Sequence, residues 1–217
     1  MKKGLAAVSA VLTMAIVLTP AYAGEKIVLT GKDAWTGVRL VGYNPYGDKK
    51  SFYPAPITYA DWGSIFVHSR GSEARKGAEE NTALIRFDLA KIPKDAKVAG
   101  AKLVFPLTAN AGKKNAVQVF EVLVPWTDKV DWKTTDGKTA WEVEGVHGQK
   151  DKKPAAAFDV PDEKVSAKEP KEMSADLTDL VNAWVSGKSP NHGVKLEMTG
   201  GYVRFAMKGF RLEIECE

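Results

Sequence analysis

The sequence predicts an all-β protein, an antiparallel β-sandwich of the jelly-roll type with one short helix near 176–186. Three observations support this fold class. Apolar and polar residues alternate at the period of a β-strand along most of the chain, turn residues separate eight or more such segments, and one segment has helical spacing instead. The chain has 217 residues, which is enough for a single domain with a sizeable core.

The strand segments follow one another from residue 27 to the end of the sequence. Alternation is clearest at 82–89, where Ile85 and Phe87 point to one face and Arg86 points to the other. The remaining segments are, in chain order, 27–30, 65–68, 101–107, 117–124, 194–198, 202–207 and 210–216.

Three of these segments carry more specific predictions. The segment 117–124 is apolar on nearly both faces, which predicts a central strand. The alternation at 194–198 predicts that Lys195 and Glu197 point outward. Gly209 separates the last two segments and predicts the turn of a hairpin.

The segment 176–186 breaks the strand pattern. Its apolar side chains recur at helical spacing: Leu177, Leu180, Val181 and Trp184. Asp176 or Ser174 supplies an oxygen that can accept hydrogen bonds from the backbone N–H groups at the start of a helix. Gly187 can end the helix in a left-handed conformation. We therefore expect a short amphipathic helix that closes one end of the β-structure.

Two stretches are predicted to be loops. Residues 41–61 are rich in aromatic residues, Pro and Gly, whereas residues 133–171 are polar and charged. A loop as long as 133–171 is unusual in a compact domain and is commonly functional or mobile. We find no repeat and no interdomain linker, so residues 24–217 are predicted to form one domain with a long polar loop at 133–171.

The first 23 residues have the layout of a secretory signal peptide. A basic start at Lys2 and Lys3 precedes an apolar run of about 15 residues, shorter than the roughly 20 that a membrane-spanning helix needs. Ala21–Tyr22–Ala23 fits a signal-peptidase site. We expect cleavage after Ala23, a secreted or cell-surface protein, and no membrane association after cleavage.

Charge and cysteine content narrow the function. The formal net charge is +4, and removal of Lys2 and Lys3 lowers it to +2, since 29 basic residues then face 27 acidic ones. Such a nearly balanced exported chain is a poor candidate for nucleic-acid binding. Cys216 is the one cysteine of the sequence, so no intrachain disulfide can form. Its place in the last strand favours a core side chain, with a Cys216 disulfide dimer as the alternative.

Three sequence phrases resemble those of the DNRLRE, or disaggregatase-related, domain family, and they occur in the family's order. They are residues 81–105 (NTALIRFDLAKIPKDAKVAGAKLVF), residues 126–132 (WTDKVDW) and residues 175–196 (ADLTDLVNAWVSGKSPNHGVKL). The chain departs from the family at Asp128, Asp131 and His192, where Glu, Thr and Tyr or Phe are usual. The resemblance implies a β-jelly-roll carbohydrate-binding module of a secreted or surface protein. Some family members are implicated in binding acidic polysaccharide such as alginate.

A sugar site needs flat aromatic faces and surrounding polar groups, and a uronate adds a need for Arg or Lys. On this chemistry the candidate carbohydrate-binding residues are Trp35, Tyr43, Tyr46, Lys49, Arg86, Trp141 and Arg204. The tryptophans expected to pack inside the protein instead are Trp62, Trp126, Trp132 and Trp184. For Arg86 and Arg204 the alternative is cross-strand pairing with Asp or Glu.

Neither catalysis nor a cofactor is predicted. His68, His147 and His192 lie far apart in the sequence, and no H-x-x-x-H, G-x-S-x-G or P-loop pattern occurs. The candidate oxygen ligands for a structural calcium ion are Asp33, Asp48 and Asp61, but they lack the spacing of a D-x-D-x-D loop.

These observations favour a secreted, non-catalytic module that binds an extracellular polysaccharide, with an acidic polysaccharide as one candidate. The rival interpretation is a structural or adhesive envelope protein of the same fold, whose loops contact other protein copies. An exposed groove formed by Trp35, Tyr43, Tyr46 and Arg86 would favour sugar binding, whereas burial of these aromatic residues would remove its basis.

Overall fold

The computed structural model of the protein describes residues 24–30, 35–44, 51–52, 57–58, 63–72, 77–94, 96–198 and 200–217. For residues 35–44, 51–52, 57–58, 70–72 and 77–79 it gives the course of the backbone. The predicted signal peptide, Tyr46, Lys49, Trp62 and the three candidate calcium ligands Asp33, Asp48 and Asp61 lie outside the described residues.

The described chain forms strands and a short helix, which confirms the all-β class. The strands are β1 (Lys26–Thr30), β2 (Trp35–Asn44), β3 (Ser51–Phe52), β4 (Ile57–Thr58), β5 (Ser64–Ser72), β6 (Gly77–Phe87), β7 (Val98–Asn110), β8 (Asn115–Val122), β9 (Lys152–Val160), β10 (Lys171–Asp176), β11 (Val194–Met198), β12 (Gly201–Ala206) and β13 (Arg211–Cys216). The helix, α1, spans Thr178–Val185 and lies between β10 and β11.

These strands belong to one curled antiparallel sheet. Its main path runs β1-β13-β7-β12-β5-β6-β11-β8-β9, with β10 on β7 and β2 on β6. β6 joins the two halves of the sheet, because one of its edges pairs with β2 while the other pairs first with β5 and then with β11. The segment predicted as a central strand, β8, is paired on both edges, with β11 and with β9.

The sheet curls around a main core to which both halves contribute. Phe105 of β7 and Phe158 of β9 come from strands that are not neighbours in the sheet, yet their ring centroids lie 5.0 Å apart. Alternate residues of β7 and β13 face this core and are all buried: Ala101, Leu103, Phe105, Leu107, Leu212, Ile214 and Cys216. Burial of this apolar surface supplies the main stabilisation of the fold, at about 25 cal/mol per Å².

The predicted helix is confirmed as α1. Leu180, Val181 and Trp184 are its buried face and pack into the main core. Asp176 Oδ1 accepts a 2.9 Å hydrogen bond from the backbone N–H of Thr178, and Gly187 follows the helix with φ of 71°. No helix within the described residues is long and apolar enough to cross a membrane.

The prediction of an uninterrupted polar loop at 133–171 is wrong in part. β9 lies within it, and residues 123–151 form a compact excursion between β8 and β9, named here the covering segment. β9 has the sequence KKPAAAFDV, in which three alanines and a proline replace the usual strand-forming residues and Val160 is the one β-branched residue. The strand therefore left no periodic signal, although it pairs with β8 along its length.

The covering segment packs on the outer face of β6 and β8, the face that points away from the main core. A second apolar cluster forms there from Leu84, Val122, Trp126, Val130, Trp141 and Val146. Trp126, Trp132 and Trp184 are buried, as the sequence predicts. Both faces of this half of the sheet are thus covered, one by the main core and the other by the covering segment.

Candidate functional site

Beside the second cluster, the covering segment encloses polar side chains that we name the polar cluster: Glu80, His147, Lys152, Lys195 and Glu197. Four parts of the chain supply them: β6, the covering segment, β9 and β11. Lys195 and Glu197 alternate away from the main core, as predicted. They do not point into solvent, however, because the covering segment lies over them.

Lys195 is the most deeply buried member, with 0% of the residue exposed. Its Nζ lies 2.5 Å from Glu197 Oε2 and donates to the backbone oxygen of Val146 at 3.3 Å. Burial lowers the pKa of Lys195 to about 8, with Glu197 opposing the shift and the charge of Lys152 adding to it. The ammonium group thus fastens the covering segment to β11.

Glu197 contacts three other members of the polar cluster, His147, Lys152 and Lys195. Its Oε2 receives Lys195 and also Lys152, whose Nζ lies 3.9 Å from the ring centroid of Phe120. Burial raises the pKa of the Glu197 carboxyl, but the two ammonium groups outweigh it and hold this pKa below its usual range. Glu197 is therefore a carboxylate at neutral pH.

His147 lies between two carboxylates. Its Nε2 is 3.1 Å from Glu80 Oε1, and its Nδ1 is 3.7 Å from Glu197 Oε2 and 3.5 Å from Lys195 Nζ. The Glu80 Oε1 atom is buried and makes no aligned hydrogen bond, although the imidazole is so close. A buried acceptor without a hydrogen-bond donor lowers the stability of the folded protein. Glu80 Oε1 is such an unsatisfied acceptor in this site.

Local backbone geometry holds His147 in place. Val146 has φ of 63°, a left-handed conformation that a β-branched residue rarely adopts. The buried carboxylate of Asp151 accepts backbone N–H bonds of 3.0–3.2 Å from Glu142, Val143 and Gly148. These contacts close the end of the covering segment into a tight turn and fix the imidazole position.

Arg86 faces away from Phe87, as predicted, but at a different place from the polar cluster. Its guanidinium carbon lies 4.8 Å from the ring centroid of Trp126, and Nη1 donates to the Trp126 backbone oxygen at 3.1 Å. Burial and the charge of Arg86 lower the pKa of His192, while Glu121 opposes them. The hydrogen bond and the ring contact with Trp126 join Arg86 to the covering segment, so both serve the fold.

Trp141 corrects a prediction. The sequence places it in a loop as a platform for a sugar, yet it is 4% exposed and belongs to the second cluster. Its Nε1 donates to the backbone oxygen of Asp131 at 3.1 Å. The indole is buried because the covering segment folds back on itself, and its face is not accessible to a ligand.

Arg204 is exposed on the outer face of β12. Its guanidinium carbon lies 5.5 Å from the ring centroid of Phe66 on the neighbouring strand β5. The half-buried rings of Phe66 and Tyr202 have centroids 6.0 Å apart. We name Phe66, Tyr202 and Arg204 the aromatic patch. Sequence reasoning selected Arg204 alone of the three.

The backbone of β2 relates two further candidates to these sites. Trp35 pairs with Phe87, next to Arg86, and Tyr43 pairs with Glu80 of the polar cluster. The candidates therefore divide among separate places in the described structure, since Arg204 lies on β12. Lys195 and Glu80 were missed because strand alternation shows which face a residue occupies but not what packs over it.

Cys216 is buried, in agreement with a core side chain, and burial raises the pKa of its thiol. No family model matches the sequence, and a search of curated proteins finds no significant match. The resemblance to the DNRLRE family therefore stays a prediction.

Proposed function

We propose that the protein is a secreted, non-catalytic module that binds an extracellular acidic polysaccharide, with the jelly-roll sandwich of a DNRLRE-type domain. The observation that supports this proposal is the aromatic patch, where an exposed arginine lies over an aromatic ring on the outer face of the sheet. This arrangement joins the two chemistries that a uronate sugar requires, a flat apolar face and a cation.

The two strands keep the aromatic patch rigid. Arg204 pairs with Phe66 across β12 and β5, and Tyr202 pairs with His68. A guanidinium group can bind a carboxylate through two parallel hydrogen bonds, while a ring beside it can contact the apolar face of a pyranose. Because sheet pairing holds the two strands, little backbone conformational entropy is lost on binding.

The proposed binding surface also includes the other candidates, on β2 and β6. Trp35, Tyr43 and Arg86 belong to these adjacent strands, and Tyr46 and Lys49 follow β2 in the sequence. Trp141 is no longer included, because it is buried.

Affinity electrophoresis with alginate and with neutral polysaccharides tests the proposal. We expect alginate to retard the protein more than neutral polymers do, and added salt to weaken the effect because ionic contacts are screened. Arg204→Ala and Tyr202→Ala should each reduce the retardation. No reducing ends or unsaturated sugar products should appear on prolonged incubation.

The matched control is Lys138→Ala, which removes one positive charge from an exposed residue of the covering segment. It should leave retardation unchanged. Equal losses in Arg204→Ala and Lys138→Ala would show that net charge alone causes the binding. Absence of retardation on every polysaccharide would overturn the proposal.

A further inference from the structure

We propose that Glu80, His147 and Glu197 form a binding site for a late first-row transition-metal ion, with Zn²⁺ as the representative ion. The site is distinct from the aromatic patch and does not depend on polysaccharide binding. Three separate elements, β6, the covering segment and β11, each supply one ligand.

The geometry suits a small metal ion. One ligand atom from each residue can be chosen so that all three lie within 4.8 Å of one another. Glu80 Oε1 and His147 Nε2 are 3.1 Å apart. Two ligands of a tetrahedral Zn²⁺ with bonds of 2.0–2.1 Å lie about 3.3 Å apart. These two atoms can therefore share an ion with little movement, and Glu197 completes the set by a small shift of its side chain.

The unsatisfied oxygen of Glu80 is an independent observation in favour of the site. Glu80 Oε1 is buried, lies beside a ring nitrogen, and accepts no aligned hydrogen bond within the described structure. A histidine that served only as a hydrogen-bond donor would be expected to point its N–H at this oxygen. An ion between the two atoms would use both lone pairs and remove the desolvation cost.

The ligand types select the class of metal. Imidazole with carboxylates suits Zn²⁺, Cu²⁺ or Ni²⁺, whereas Ca²⁺ and Mg²⁺ prefer sites made of oxygen alone. The proposed site therefore differs from the structural calcium site considered from the sequence, both in its residues and in its metal.

The two lysines limit the affinity. Lys152 and Lys195 both contact Glu197 Oε2, so Oε1 is the oxygen of this residue that can turn toward an ion. Their ammonium groups also repel a divalent cation. This repulsion is stronger in a partly buried site than in water. Removal of the buried Lys195 charge should consequently tighten metal binding rather than weaken it.

Isothermal titration of the metal-free, tag-free protein with ZnCl₂ tests the site. We expect one saturable Zn²⁺ per chain, and no saturable heat with CaCl₂ or MgCl₂. Glu80→Gln and His147→Gln should each weaken binding by at least about 10-fold, while Lys195→Met should strengthen it. Co²⁺ should give visible absorption bands that His147→Gln abolishes.

His192→Gln is the matched control, because it removes a histidine outside the polar cluster. It should bind Zn²⁺ as the unmodified protein does. Circular dichroism establishes that each variant is folded before titration. The inference is overturned if the folded, unmodified protein shows no saturable Zn²⁺ binding, or if His147→Gln and His192→Gln bind Zn²⁺ equally well.

Discussion

Trp126 Nε1 donates a 2.7 Å hydrogen bond to the backbone oxygen of His192, which ties the start of the covering segment to the residues just before β11. The same indole lies under the guanidinium of Arg86 on β6. One side chain therefore connects the covering segment with β6 and with the residues just before β11, and the second cluster packs around it.

Replacement of this indole by a smaller ring measures the hydrogen bond. Trp126→Phe removes the N–H and leaves the His192 carbonyl without its donor. We expect a loss of about 1–3 kcal/mol in the free energy of unfolding beyond that of the lost ring volume. Urea denaturation followed by circular dichroism gives this difference.

Trp184→Phe is the control for Trp126→Phe. Trp184 is also buried, at 6% exposure, but its Nε1 makes no hydrogen bond within the described structure. Its replacement therefore removes similar volume without breaking a bond. Equal losses of stability in the two variants would contradict the importance of the Trp126–His192 contact.

Much of the fold could be predicted because its elements carry periodic signals. The alternation of β13 correctly assigns Leu212, Ile214 and Cys216 to the core, since one face of that strand packs inward along its whole length. α1 was predictable from its apolar spacing and from Gly187 after its end. In both cases the local pattern and the tertiary packing agree.

The candidate site could not be predicted in the same way, because its burial is a tertiary property. Lys195 looks like a solvated residue in its strand, and it is covered only because the covering segment returns across β11. Trp141 lies in a segment without the period of a strand or a helix, so its burial has no signal in the sequence. Glu80 and His147 are far apart in the sequence, so their contact in the fold could not be predicted from it.

Two glycines with similar backbone conformations should respond differently to alanine. Gly193 has φ of 83°, and a Cβ there would lie 2.1 Å from the backbone oxygen of Ile85. Gly187 has φ of 71° with no atom within 4 Å of its added Cβ. Gly187→Ala should cost about 1 kcal/mol of unfolding free energy, from the left-handed conformation alone.

Gly193→Ala should cost at least about 3 kcal/mol, because β6 must also move away from the new methyl group. Thermal and urea unfolding of the two variants, side by side, provide the comparison. If both substitutions cost the same, the close approach of Gly193 to β6 is not a constraint on the fold.

The Lys195–Glu197 pair should show an asymmetry. Glu197→Gln leaves the fully buried ammonium of Lys195 without its carboxylate, so we expect a loss of about 3 kcal/mol in unfolding free energy. Lys195→Met replaces that ammonium with an apolar chain of similar length, while Lys152 still pairs with Glu197. This variant should be as stable as the unmodified protein or more stable.

Denaturant unfolding in the presence of a chelator measures this asymmetry without a contribution from bound metal. A loss in Lys195→Met as large as that in Glu197→Gln would contradict it, since the ion pair would then be a net source of stability rather than a buried charge that needs its partner.

His192 gives the protein a defined pH dependence. Burial, and then the charge of Arg86, lower the pKa of His192 in the folded protein below the ordinary value of 6.5, against a smaller opposing effect of Glu121. The unfolded chain therefore binds more protons than the folded chain as the pH falls below 6.5, and folding stability decreases there. Well above pH 6.5 both states hold a neutral imidazole, so this contribution is flat there. His192→Gln should remove it, and the unfolding free energies of variant and unmodified protein, measured from pH 8 to pH 5, should converge or cross toward low pH. Parallel curves over this range would mean that His192 titrates alike in both states and that its burial does not oppose protonation.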